Sequence, residues 1–181
     1  MAGEDAQERR ERFESLAAEA VEPVRRYLAR RTDPDTAEDV LADVLLVCWR
    51  RLDEIPDPPL PWVYGVAKGC LANAARSERR QRRLAARITT VDPPREVGAD
   101  DSDPRADRVT EALAALKPGD AELLRLWAWE QLTPAEIGTL LGITSNAASI
   151  RLHRARGKLR EELRKASGAA GHEDVREGSG P

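Results

Sequence analysis

Cysteine and histidine are scarce. Cys48 and Cys70 are the only cysteines, and neither stands in a CxxC or Cys/His cluster. His153 and His172 lie far apart and outside any metal-ligand spacing, so nothing supports a zinc centre. Two isolated thiols read as interior residues of a protein in a reducing compartment. No apolar run is long enough for a bilayer, and the N-terminal MAGEDAQERRER is too charged for a signal peptide, so a soluble cytoplasmic protein without membrane insertion is expected. Aromatics make up only 4% of the chain, which favours small cores of Leu, Val and Ala. Nor does one sign of charge dominate: the formal net charge is -3. What stands out is how the charge is distributed. Basic residues crowd Arg76 to Arg87 and Arg151 to Arg164, whereas acids crowd the N-terminus, Asp33 to Asp43 and Asp92 to Asp107.

Helical periodicity holds almost everywhere outside the Pro-rich joints, and no window alternates as a strand does. The expected fold is therefore all-α, with two small helical domains joined by a flexible acidic linker. A first helix is predicted over 6–31, with Phe13, Leu16, Ala20, Val24, Tyr27 and Leu28 on one side and a kink at Pro23. A second is predicted over 36–54 and a third over 62–88, separated by the stiff loop IPDPPLP. Residues 89–108, acidic and rich in Pro and Gly, read as the linker between a domain at 6–88 and one at 109–166. The second domain should hold a helix from Val109 and another over 120–130 carrying Leu123, Leu124, Leu126 and Trp127. The tail 167–181 reads as disordered.

The stretch from Thr133 to Arg160 has the layout of a helix-turn-helix. Thr133, Pro134 and Glu136 form a capping-box signature. Gly142 suits a turn that needs positive φ, Ile143 plugs it, Ser145 is placed to cap the next helix, and Gly138 leaves room for close approach. On the second helix Ala148, Leu152, Ala155 and Leu159 share the inward face. Asn146, Ile150, His153 and Gly157 lie opposite, beside Ala147, Ser149 and Arg154, as candidates for base edges; Arg151 and Arg156 flank them and suit phosphates. The competing reading is a helical hairpin with a solvated, charged face.

The second helix has a core stripe of Ala37, Val40, Leu41, Val44, Cys48 and Leu52. Its other side shows Asp39, Ala42, Asp43, Leu46 and Arg50. A leucine among acids there points to docking of a basic partner helix, against the alternative of a solvated face with one stray leucine. Catalytic or metal-binding carboxylates are disfavoured, since no nucleophile or Glu-x-x-His spacing accompanies Asp39 and Asp43. Trp62 and Tyr64 precede Lys68, Asn73, Arg76, Arg79, Arg80, Arg82 and Arg83, the combination of rings and cations that unstacked bases require. The alternatives are Trp62 in the core and the arginines on a solvated helix end.

In this order and spacing, TAEDVLADVLLVCWRRL (36–52), PWVYGVAKGCLANAARSERRQRR (61–83) and LTPAEIGTLLGITSNAASIRLHRARGKLR (132–160) resemble the sigma factors of the extracytoplasmic-function class, which direct bacterial RNA polymerase to promoters. The resemblance covers about residues 13–164. It implies a non-enzymatic initiation factor with no cofactor, whose partners are core polymerase (beta-prime clamp and beta flap), duplex and single-stranded promoter DNA, and an anti-sigma inhibitor. Asp39, Ala42, Asp43, Leu46 and Arg50 would face polymerase. Trp62, Tyr64, Lys68, Asn73, Arg76, Arg79 and Arg80 would hold the minus-ten element as single strand, with the loop 55–61 near a flipped base. Asn146, Ala147, Ser149, Ile150, Arg151, His153 and Arg154 would read the minus-thirty-five element. The linker would thread polymerase's channels. The chain departs from the family's common residues at Lys68-Gly69, Ala74-Ala75, Ala42 and Ser149. A stand-alone helix-turn-helix regulator and a sigma-like protein-interaction module are the other readings.

Overall fold

The computed structural model describes residues 2–85 and 104–170, and side chains over 5–83 and 106–166. The described residues form seven α-helices and one short 3-10 helix, with no strand among them. The chain divides into two compact units, one of Met1–Pro94 with Thr139–Gly142 and one of Arg95–Gly138 with Ile143–Pro181. The linker expected over 89–108 lies outside the described residues as far as residue 103.

In the first unit, α1 (Ala2–Ala29), α2 (Pro34–Arg50) and α3 (Leu60–Ala85) pack on one another. The inward stripe of α1, from Leu16 through Ala20, Val24 and Tyr27 to Leu28, is buried as its period requires, with Phe13 half-buried at the end. α1 is a single helix through Pro23. Asp33 starts α2: its carboxylate accepts from Thr36 N at 3.0 Å, and Pro34 occupies the first turn, where a missing N–H costs nothing. The Thr36 bond holds the Asp33 carboxyl below its ordinary pKa. α2 ends at Arg50, short of the expected residue 54, and Leu52–Glu54 tighten into the 3-10 helix. Val40, Val44 and Cys48 are essentially fully buried, each apolar side chain contributing about 1.5–3 kcal/mol. Arg9 ties α1 to the end of α2, donating to Asp53 Oδ2 and to Trp49 O, both at 2.7 Å, beneath an edge-to-face Phe13–Trp49 pair. The Arg9–Asp53 and Arg12–Asp53 ion pairs are exposed and add little to stability.

The second unit holds α4 (Pro104–Ala114), α5 (Pro118–Ala128), α6 (Pro134–Leu141) and α7 (Ser145–Ala170). Leu113, Ala121, Leu124, Leu152 and Ala155 form its buried cluster, with Leu116 and Leu159 packed against it. Several boundaries differ from the sequence expectation: α5 spans Pro118–Ala128 rather than 120–130, with Pro118 in its first turn. α4 begins five residues before Val109, because a proline is acceptable as the first residue of a helix and Pro104 takes that place rather than marking linker. α7 continues to Ala170, so residues 167–170 are helical rather than tail; 171–181 lie outside the described residues.

Candidate functional site

The turn between α6 and α7 is built by the residues that the sequence singles out, with one exchange. Thr133 and Glu136 form the reciprocal box: Thr133 N donates to Glu136 Oε2 at 2.7 Å, and Glu136 N donates to Thr133 Oγ1 at 3.3 Å. Gly142 has φ +66, the left-handed region where a side chain is strained. A Cβ on Gly138 would stand 2.8 Å from Ile143 O and 3.2 Å from Ser145 N, so the turn's backbone lies directly on that glycine. The cap of α7 is Thr144, not Ser145: Ala147 N donates to Thr144 Oγ1 at 3.1 Å.

Beyond the cap, Ala148, Leu152 and Ala155 are buried, which turns the opposite side of α7 outward. Asn146, Ser149, Ile150, Arg151, His153 and Arg154 are all exposed, and Ala147 is half-buried. Ile150 is 44% exposed. From Ser145 to Arg160 there are five cations and no carboxylate. Lys158 is engaged with Asp120 at 2.6 Å, and the Arg156 guanidinium lies over the Trp127 ring, 4.7 Å from its centroid. Arg151 and Arg154 have no anionic partner among the described residues, so both are free for an outside anion.

Trp127 is 39% exposed, where the sequence set it with the buried leucines of α5; Leu123, Leu124 and Leu126 fill that core without it. Trp129, also exposed, lies beneath Arg125, and Trp49 is exposed on α2. Sequence reasoning passed over these surface tryptophans because a large apolar ring is usually counted as core. A basic residue one turn away, such as Arg125 before Trp129, is the signal of a ring that can serve as a surface platform for a cation.

On α2, Asp39, Ala42, Asp43, Leu46 and Arg50 are all exposed along one side, and Leu46 is 45% exposed. Neither aspartate has a hydrogen-bond or ion-pair partner among the described residues. Asp43 is close enough to α3 that its carboxylate, after burial, raises the Cys70 thiol pKa. Cys48 is pushed up to about 11 by burial and by Cys70. Both thiols therefore stay protonated near neutral pH, poor nucleophiles and poor metal ligands. Cys48 is buried as expected, whereas Cys70 is only half-buried. No group of three or more His, Cys, Asp or Glu that could hold a metal occurs among the described residues, and no helix there is long and apolar enough to cross a membrane.

α3 separates the two rings assigned to it. Trp62 is half-buried beside the Arg51 guanidinium, 5.4 Å from its ring centroid. Tyr64 is buried against Tyr27, ring centroids 5.3 Å apart. A ring enclosed in the core cannot stack on a base, so Tyr64 leaves the proposed nucleic-acid set. Lys68, Asn73, Arg76, Arg79 and Arg80 are exposed. Arg76 is hydrogen-bonded to Asn73 and Arg82 is paired with Glu78, whereas Arg79 and Arg80 have no described partner.

Comparison with known proteins bears on the family and the fold. A family model described as Sigma-70, region 4, matches residues 106–159, from α4 into α7. RNA polymerase sigma factor CarQ of Myxococcus xanthus is 34% identical over 155 residues, covering 83% of this chain and 88% of CarQ. ECF RNA polymerase sigma factor SigL of Mycobacterium tuberculosis is 30% identical over 144 residues, covering 76% of this chain and 81% of SigL. In fold, the chain matches one from the co-crystal structure of the sigma factor RpoE with the anti-sigma factor NepR from Bartonella quintana: TM-score 0.60, 17% identity, 84% of this chain and 96% of that one. Sequence likeness of this extent shows the family: the chain belongs to the extracytoplasmic-function class of RNA polymerase sigma factors, which bind core polymerase and direct promoter-specific transcription initiation.

Proposed function

We propose that the two units divide promoter recognition between them. The first docks on the beta-prime clamp of core polymerase through Asp39, Ala42, Asp43, Leu46 and Arg50, and holds the minus-ten element as single strand with Trp62, Lys68, Asn73, Arg76, Arg79 and Arg80. The second packs near the beta flap and reads the minus-thirty-five duplex with Asn146, Ala147, Ser149, Ile150, Arg151, His153 and Arg154. The observation that carries this reading is the outer side of α2, where the unpartnered carboxylates of Asp39 and Asp43 lead up to the exposed Leu46 on a helix whose other side is buried. Acids next to an exposed apolar side chain suit a basic protein helix and repel DNA. The arginines of α3 and α7 suit phosphates, and the half-exposed Trp62 offers a face for an unstacked base.

The protein contributes no catalytic group; bond formation belongs to polymerase, and the work takes place in the cytoplasm. RpoE, similar in fold, was crystallised with an anti-sigma factor, which supports a comparable inhibitor for this chain. In vitro transcription with core polymerase and a genomic promoter library tests the reading. Transcripts should start downstream of a shared two-part element. Polymerase binding without promoter-specific transcripts would overturn it, as would tight operator binding by the chain alone, at about 10⁻⁸ M or below.

A further inference from the structure

Ile150 is the one large aliphatic side chain on the outer side of α7, and nothing in the fold requires it there. The inward positions are filled by Ala148, Leu152 and Ala155. Around Ile150 stand Asn146, Ser149, His153 and Arg154, all exposed. Arg151 and Arg154 beside it have no anionic partner among the described residues and suit an outside anion, but an isoleucine next to them gains nothing from phosphate. In the major groove of DNA the apolar group available to it is the C5 methyl of thymine. We propose that Ile150 reads a thymine methyl in the upstream promoter element. The proposal rests on α7 being the helix that reads that element.

The neighbours narrow the surrounding sequence. Asn146 stands one turn before Ile150 and Arg154 one turn after, on the same side of the helix. Successive members of the trio are separated by about 6 Å of helix rise, roughly two base steps. Asn pairs its amide with adenine, and Arg its guanidinium with guanine. No Asp or Glu lies between Ser145 and Arg160 to accept from the cytosine amino group, so this part of α7, which ends before Glu161 and Glu162, has no carboxylate with which to select cytosine directly. The thymine therefore falls between a position that prefers adenine and one that prefers guanine. Isoleucine suits the task physically, since its β-branch leaves few rotamers to lose on contact.

Selection of a randomised upstream element by the polymerase holoenzyme, followed by single-atom-group replacement, tests this. With the unaltered protein, one position should be enriched in thymine; with Ile150→Ser that preference should flatten while the rest of the element persists. Replacing that thymine by deoxyuridine removes only the methyl and keeps the base pair. It should weaken holoenzyme binding about fourfold, the effect of one buried methyl-sized group, and leave the Ile150→Ser holoenzyme unaffected. The deoxyuridine measurement on unaltered protein does not depend on how well the variant folds. No loss with deoxyuridine, or equal loss for both proteins, overturns the thymine assignment alone. Failure to enrich any upstream element overturns the reading of α7 as well.

Discussion

α2 and α7 are built alike on the inside and oppositely on the outside. Each buries a stripe of apolar residues at helical spacing, Val40, Leu41, Val44 and Cys48 in one, Ala148, Leu152 and Ala155 in the other. Each exposes one large aliphatic side chain on its outer side, Leu46 at 45% and Ile150 at 44%. What differs is the charge along that side. Leu46 follows Asp39 and Asp43 and precedes Arg50; Ile150 lies beside Arg151, His153 and Arg154. Packing against neighbours constrains the inner sides, whereas the outer sides are free to record the partner. On the function proposed above, an exposed aliphatic side chain meets a basic protein surface in one helix and a polyanion in the other.

Charge reversal on α2 should give the largest effect. Asp39→Arg with Asp43→Arg places like charges against a basic partner, and core polymerase affinity is expected to fall about 100-fold, since such juxtapositions cost several kcal/mol. Fluorescence anisotropy of labelled protein against core polymerase measures it. Binding of the variant to an upstream-element duplex should not weaken. Unchanged polymerase affinity would remove α2 from the interface and end its pairing with α7.

Gly138→Ala acts on the turn that aims α7. The added Cβ meets backbone at 2.8 Å, not a flexible side chain, so the turn must move. A destabilisation of about 1–3 kcal/mol is expected, seen as a lower melting temperature of the second unit, with upstream-duplex binding reduced and α2-mediated polymerase binding retained. Arg154→Ala comes next. Loss of the free guanidinium should reduce initiation at the preferred promoter about tenfold and relax one base position, as expected for a lost bidentate contact of about 1–3 kcal/mol. Equal loss on every promoter would make Arg154 a phosphate contact, and a shallower salt dependence would accompany it.

Much of this division is legible in the sequence because periodicity reports which side of a helix is buried. The stripe of α2, the capping box at Thr133 and the close approach at Gly138 follow from spacing and residue type alone. Tyr64 was not placed correctly by the same means: residues two apart on a helix do not share a side, so Tyr64 falls opposite Trp62, toward Ala67. Trp127 depends on which neighbours fill the core of α5, which no local pattern states. The start of α4 at Pro104 was hidden because proline marks loops and first helical turns equally well. Thr144 and Ser145 are both good caps, and only the chain's path decides between them.

The smallest test concerns the other turn beside α6. Gln131 and Gly142 are the two described residues with positive φ, one before α6 and one after it. Gly142 adopts φ +66 without strain, whereas Gln131 at φ 56 carries a Cβ into the left-handed region. The turn at Gln131 lets Leu132 N donate to Leu126 O at 3.1 Å and puts the Leu132 side chain into the core. Gln131→Gly relieves the steric cost at the expense of some chain entropy, so the net gain should be about 0.5–1 kcal/mol in the second unit. Gln131→Val, branched at Cβ, should instead lower stability by about 1–2 kcal/mol. Calorimetry on both variants separates them by sign. Because Gln131 lies outside both outer faces, neither change should alter base preference or polymerase affinity; a shift in either would mean that the turn, and not only the side chains of α7, sets how the helix meets DNA.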